Sequence, residues 1–250
     1  MNVVFLGPTL PVEEARTLCD AVYLPPARRG DVLAAILEHR PAAVALIDGY
    51  FDQVPSVWHK EILFALDQGI QVAGAASMGA LRAAELRAFG MIGVGRVFEA
   101  YATGRFSPFA APFEDDDEVA VAHGPAEAGY ASTDAMVDIR ATLAKAVDEN
   151  VLPVAAARDI AAAAKALFYK DRTFARVLAA AAERGLPPAL LERFRDWLSG
   201  GKVLQKRLDA EQVLRKLAAG VLGGEPPAFR FERTLLWESA QPAPAEGDVP

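Results

Sequence analysis

The feature that most limits how this chain can fold is an alternation in its first ninety residues, where short apolar runs are each followed by a stretch with helical spacing. The runs at 2–6 (NVVFL), 21–24 (AVYL), 43–48 (AVALID) and 70–75 (IQVAGA) predict strands. Between them, Thr9-Leu10-Pro11 introduces a helix to about residue 19, and Arg29-Gly30-Asp31 opens one over 31–39. Pro55-Ser56 caps a third over 57–68, and a fourth begins at Ser77 and stops at Gly90. Repeated strand–helix units imply parallel strands joined by helical crossovers, so the expected class is α/β: a three-layer parallel-sheet core with Rossmann-like alternation.

The pattern then changes. A short helix is expected over 96–103, a loop with Pro108, Pro112 and the acidic run Glu114–Glu118 over 104–118, and a strand over 119–123. Helical spacing dominates 132–149, 153–169, 172–184, 187–199 and 207–219. The expected organisation is an α/β core domain over 1–149, an α-helical appendage over 150–221, and a Pro/Gly-rich tail over 222–250. In that tail only the patch Phe229–Trp237 has enough apolar surface to pack, and disorder is expected over the last dozen residues.

Composition removes several function classes. With 26 basic and 33 acidic side chains the formal charge is −7, which argues against a surface that tracks nucleic-acid phosphates. Although 52% of residues are hydrophobic, no apolar run reaches the roughly 20 residues of a membrane helix, so no membrane association is expected. The single cysteine, Cys19, excludes an intramolecular disulfide framework, and no signal sequence precedes the first strand; a cytoplasmic protein is expected.

In a parallel sheet the strands' carboxyl ends share an edge with the N-termini of the following helices, and ligands bind there. That edge collects Gly7-Pro8-Thr9, Asp48-Gly49-Tyr50-Phe51, the start of helix 57–68 and Ala76-Ser77-Met78-Gly79. Ser77 stands where a nucleophile stands in a strand–turn–helix elbow, among the small residues Gly74, Ala75, Ala76, Gly79 and Ala80. The pattern departs from G-x-S-x-G, since Ala75 replaces the first glycine, and serine is also the commonest helix cap. The same geometry would aim the Met78 and Gly79 amides at negative charge growing on an attacked carbonyl.

A serine hydroxyl needs a proton acceptor, and the chain has only His39, His59 and His123. Lys60 is the more interesting amine: it lies in the first turns of helix 57–68 on the same edge, where burial and the positive helix end would both favour its neutral form. Its alternative is a solvated helix lysine. Arg82 either pairs with Glu85 across a turn or meets an anionic substrate; Asp48 either orients a base or caps the next turn. The run Asp115–Glu118 lacks the alternating ligands and turn glycine of a calcium loop, and reads as a solvated or partner-docking face.

These stretches resemble the TfuA-like family, whose members accompany YcaO enzymes in peptide backbone thioamidation. The resemblance rests on Asp48-Gly49-Tyr50-Phe51, on Val57-Trp58-His59-Lys60-Glu61-Ile62-Leu63, on Gly74-Ala75-Ala76-Ser77-Met78-Gly79-Ala80-Leu81-Arg82-Ala83-Ala84-Glu85-Leu86, on Phe89-Gly90-Met91 and Gly93-Val94-Gly95, and on Asp116-Asp117-Glu118-Val119-Ala120. It covers about 1–145, the first 45 residues more loosely, and the helical region beyond inherits nothing from it.

The resemblance implies a hydrolase-like Ser–Lys pair, at the positions of Ser77 and Lys60, that cleaves the C-terminal thiocarboxylate of a ubiquitin-like sulfur-carrier protein and frees sulfide for a YcaO-type enzyme. It implies neither an organic cofactor nor a metal. A channel walled by Gly7, Gly49 and Ala76 would admit the carrier's tail, with His59 and Arg82 nearby. The rival expectations are a non-catalytic module that positions a YcaO enzyme and its peptide, and a serine hydrolase of a small ester or amide.

Overall fold

A computed structural model describes residues 1–52, 54–109, 112–125, 133–223 and 229–240. Strands β1 (Asn2–Phe5), β2 (Val22–Leu24), β3 (Ala43–Leu46), β4 (Gln71–Ala75) and β5 (Ile92–Val94) form one parallel sheet in the order β2-β1-β3-β4-β5. The first four lie where the apolar runs predict. The fifth is three residues long with a glycine at its centre, too little pattern to stand out in sequence.

Helices α1 (Val12–Leu18), α2 (Asp31–His39), α3 (His59–Asp67), α4 (Met78–Leu86) and α5 (Arg96–Thr103) follow the successive strands. The strand side chains alternate between two cores. Val3, Phe5, Val44, Leu46 and Val72 face Val32, Ile36, Ile62, Leu66, Met78 and Leu86 of α2, α3 and α4. Val4, Ala45, Ala73 and Ala75 face the other way, where α1 supplies Ala15 and residues 210–217 supply Ala210, Val213, Leu214 and Leu217. The three-layer α/β core is therefore present.

Helices α6 (Met136–Asp148), α7 (Val154–Lys165), α8 (Phe174–Glu183) and α9 (Pro188–Gly201) gather with α5 around a separate core that includes Val97, Phe113, Met136, Ile160, Val177 and Phe194. The next helix, α10 (Gln205–Ala218), departs from the expected appendage: it returns to the sheet and completes its second face beside α1. Only α1 connects strands on that side, and the small side chains of β3 and β4 there leave room for another helix.

One further reading changes, while the apolar patch of the tail packs as expected. Residues 119–123 add no strand to the sheet; a 3₁₀ turn at Asp116–Glu118 runs into irregular chain. The tail folds back in part, since Trp237, just inside helix α11 (Leu235–Ala240), is fully buried against Trp58, Phe64 and Phe231. The disorder expected at the chain's end falls almost entirely on 241–250, outside the described residues.

The seat of α4 depends on two glycines. A Cβ on Gly79 would lie 1.7 Å from the Leu46 carbonyl oxygen, and one on Gly74 would lie 2.0 Å from the Gly79 carbonyl oxygen. Both obstacles are backbone, which cannot swing aside. Gly79→Ala is expected to lower stability by about 1–3 kcal/mol or more in urea denaturation, by forcing α4 off the sheet. Gly200→Ala, where nothing lies within 4 Å, is the neutral comparison; equal melts for the two would refute the tight seat.

Candidate functional site

The strand order reverses direction between β1 and β3, so the chains leaving these strands diverge and open a crevice at their carboxyl ends. Asp48 follows β3 there, 2% exposed. Its carboxylate accepts hydrogen bonds from the Gly7 amide at 2.9 Å, the Thr9 amide at 3.1 Å and the Thr9 hydroxyl at 2.6 Å. A buried carboxylate needs such donors, and here they make Asp48 the strut of the turn after β1. Of the two roles open from sequence, capping is the one realised, on the turn after β1 rather than on its own.

The turn between β4 and α4 is tight. The Ser77 amide donates to the Ala75 carbonyl at 2.7 Å around Ala76, which has φ +65°, a left-handed conformation that costs a non-glycine residue on the order of 1–3 kcal/mol. Ser77 occupies the N-cap position of α4, yet its side chain caps nothing, and its hydroxyl makes no hydrogen bond with a described residue. It lines a cavity of about 230 Å³ with Pro8, Asp48, Gly49, His123 and Lys206. The first helical amides are not equivalent. Gly79 donates to the Ile47 carbonyl at 3.2 Å and is therefore not available to an oxyanion, contrary to expectation. Met78, at the first position of α4, keeps an amide without an intrahelical acceptor.

Lys206, in the first turn of α10, is 5% exposed. Its ammonium donates to the Val119 carbonyl at 2.9 Å and has no carboxylate within 4 Å among the described residues. Burial lowers its pKa, against the opposing pull of Asp48 and Asp138. Asp138 accepts from the Lys206 backbone amide at 3.0 Å, and burial raises its own pKa to about 6. At the cavity mouth, Tyr169 and Lys170 both donate to Asp52, at 3.2 and 2.9 Å. His123 donates from Nδ1 to the Gly124 carbonyl at 2.8 Å and lies beside Tyr50, ring centroids 6.3 Å apart.

Several expected site residues lie elsewhere. The Lys60 ammonium donates to the Glu232 carbonyl at 2.6 Å and the Thr234 hydroxyl at 3.3 Å, over the Phe231 ring at 5.3 Å, and it does not line the Ser77 cavity. The expected Ser77–Lys60 hydrogen bond is absent. The reason is rotational: Glu61, one position on, is the residue turned inward, accepting from the Gly30 and Leu33 amides, which leaves Lys60 on the flank covered by residues 229–237.

Arg82 donates to the Val57 carbonyl at 3.0 Å and to Glu85 at 2.6 Å, and His59 meets the same Glu85 oxygen at 2.8 Å, so both close a structural network rather than the cavity. Gly7 and Ala76 do not line the cavity either; a Cβ on Gly7 would strike Pro26. Gly49 does, but a Cβ there would lie 2.7 Å from Met78 Cγ, so a larger residue would disturb α4 before it blocked a channel.

The acidic run is solvated only in part: Asp115 and Asp116 are exposed, whereas Asp117 and Glu118 turn toward the protein. Glu118 is fully buried and paired with Arg140 through two bonds of 2.8 Å; Asp117 binds Arg172, and Lys165 reaches Asp115, Asp117 and Glu118. The network fixes the chain at 116–121 to α6, α7 and Arg172, and with it the Val119 carbonyl that receives Lys206. Among the described residues no group of His, Cys, Asp or Glu could hold a metal ion, and no helix is long and apolar enough to cross a membrane.

Sequence reasoning missed Lys206. A signal existed, because Lys206 shares one helical face with Ala210, Val213, Leu214 and Leu217, where a charge is out of place; Asp209 is the other charge on the buried side. A family model described as TfuA-like protein matches residues 48–173. The match begins at Asp48 and reaches past residue 145 to take in Lys165 and Arg172, the partners of the acidic run. No curated protein matches the chain.

Proposed function

Because the chain belongs to the TfuA-like protein family, we propose that it is a hydrolase-like protein that releases sulfide from the C-terminal thiocarboxylate of a ubiquitin-like sulfur carrier, for a YcaO-type enzyme that thioamidates peptides. The observation that carries this reading is the Ser77 hydroxyl, which sits at the N-cap of α4, makes no capping bond and lines the cavity. In the proposed reaction Ser77 Oγ adds to the thiocarboxylate carbon, the C–S bond breaks to release hydrosulfide, and water cleaves the resulting ester. The balance is carrier–COS⁻ plus water giving carrier–COO⁻ plus hydrogen sulfide. The positive end of α4 offsets the substrate's charge, and the Met78 amide is the candidate donor to the developing oxyanion.

The cavity size supports a slender substrate. At about 230 Å³ it is smaller than the roughly 300–1,000 Å³ that hold drug-sized ligands, and it suits a main-chain tail better than a bulky ester.

The test mixes the purified chain with a ubiquitin-like carrier ending in a thiocarboxylate and measures free sulfide. Release that depends on the chain, together with conversion of the carrier to its ordinary carboxylate, is the expected result. Binding of the carrier or of a YcaO-type enzyme without any release would overturn the reading in favour of a positioning module.

A further inference from the structure

We propose that Lys206, not Lys60, is the proton acceptor for Ser77; the assignment rests on the hydrolase reading and deepens it. Position carries the argument. Among the described residues Lys206 is one of two lysines that line the cavity of Ser77, and the other, Lys170, is exposed at the mouth and already paired with Asp52. Lys206 also lines a neighbouring cavity of about 180 Å³ that shares Pro8 and Val121 with the first, so its side chain borders both spaces.

Its hydrogen bonding fits a group that changes protonation state. An ammonium has three protons to donate, and among the described residues this one finds a single acceptor, the Val119 carbonyl, while sitting 5% exposed. A buried lysine that served only to neutralise charge would be expected to contact a carboxylate. The nearby carboxylates are otherwise committed: Asp48 to Gly7 and Thr9, and Asp138 to the backbone amide of Lys206 itself. Burial favours the neutral amine, and Asp48 and Asp138 moderate that shift. Of the rival bases, Lys60 serves the Glu232 carbonyl and His59 serves Glu85, while His123, which also lines the cavity, donates from Nδ1 to the Gly124 carbonyl and is held beside Tyr50.

The proton path then closes. Neutral Lys206 Nζ takes the Ser77 hydroxyl proton as the Oγ–C bond forms, and returns it to the sulfur as the C–S bond breaks and hydrosulfide departs. In the second half a water loses a proton to Nζ as it adds to the acyl carbon, and the same proton restores the Ser77 hydroxyl as the ester opens. No oxidant, reductant or metal enters the balance.

The experiment measures sulfide release from the thiocarboxylated carrier by the parent chain and by Ser77→Ala, Lys206→Met, Lys206→Arg, Lys206→Ala and Lys60→Ala, each checked for folding by circular dichroism. Methionine matches the length of lysine without its charge, and arginine keeps the charge but cannot act as a base. Both are expected to lose at least about 100-fold in release. Lys206→Ala is expected to regain release when methylamine is added, saturably and in proportion to the unprotonated amine, which a purely structural lysine would not show.

Full release by either folded Lys206→Met or Lys206→Arg would overturn the assignment while leaving Ser77 standing. So would loss of release in Lys60→Ala with none in the Lys206 variants, which would restore Lys60. Release by Ser77→Ala at the parent rate would instead remove the hydrolase reading itself.

Discussion

Ser77→Ala is expected to abolish sulfide release, by on the order of 10³-fold or more, while the urea unfolding midpoint hardly moves. A serine N-cap replaced by alanine ordinarily costs about 1 kcal/mol through a lost side-chain bond to the helix amides. Here that bond does not exist, so there is no cap to lose. The tight turn is made by the backbone of Ala75, Ala76 and Ser77 and survives the change, as does the seat of α4 on Gly74 and Gly79. A combined sulfide assay and urea melt separates the outcomes: activity lost with stability kept identifies the hydroxyl as a chemical group. Stability lost by a full cap's worth would mean that the hydroxyl does cap α4 in solution.

The largest effect on stability is expected at the acidic run. Removing the cation in Arg140→Met leaves the fully buried Glu118 carboxylate with Lys165, 3.1 Å away and partly exposed, as its remaining partner. Breaking a buried pair from one side typically costs about 3–5 kcal/mol, and the retained lysine puts this case near 3. Replacing both members, as in Glu118→Leu with Arg140→Met, is expected to recover most of the loss, because the desolvation cost disappears with the charges. Urea denaturation of the parent, Arg140→Met, Glu118→Leu and the double variant forms the cycle; an Arg140→Met protein within about 1 kcal/mol of the parent would show that water reaches Glu118. Sulfide release should fall in the single variant as well, because the chain that presents the Val119 carbonyl to Lys206 hangs from this pair.

The parts of the fold that were legible are those whose signal is local. Four strands and the helices between them follow from apolar runs and their stop residues, and the helices at 31–39 and 96–103 agree to the residue. What failed was long-range. The acidic residues 115–118 look like a uniformly solvated face until Arg140 of α6, Lys165 of α7 and Arg172 before α8 pair with Asp117 and bury Glu118. Lys60 reads as an edge residue because its helix starts there, but which face of a helix turns inward depends on what packs against it, and Glu61 took that place. The helix at 205–218 reads as one more member of a helical half; its destination was set by the bare face of a sheet laid down more than a hundred residues earlier. The position of Ser77 at the strand–helix turn was legible because the turn, its small neighbours and the preceding strand are contiguous in sequence.

The return of α10 to the sheet has a consequence for synthesis. The strut at Asp48 and the serine at Ser77 come early in the chain, and a ribosome has most of the helical half still to make once the five strands have emerged. Until α10 follows, the sheet lacks part of its second face and the crevice lacks Lys206. On the proposed reading, a nascent chain therefore holds Ser77 without its proton acceptor, and gains the capacity to release sulfide only after residues 205–218 have been made.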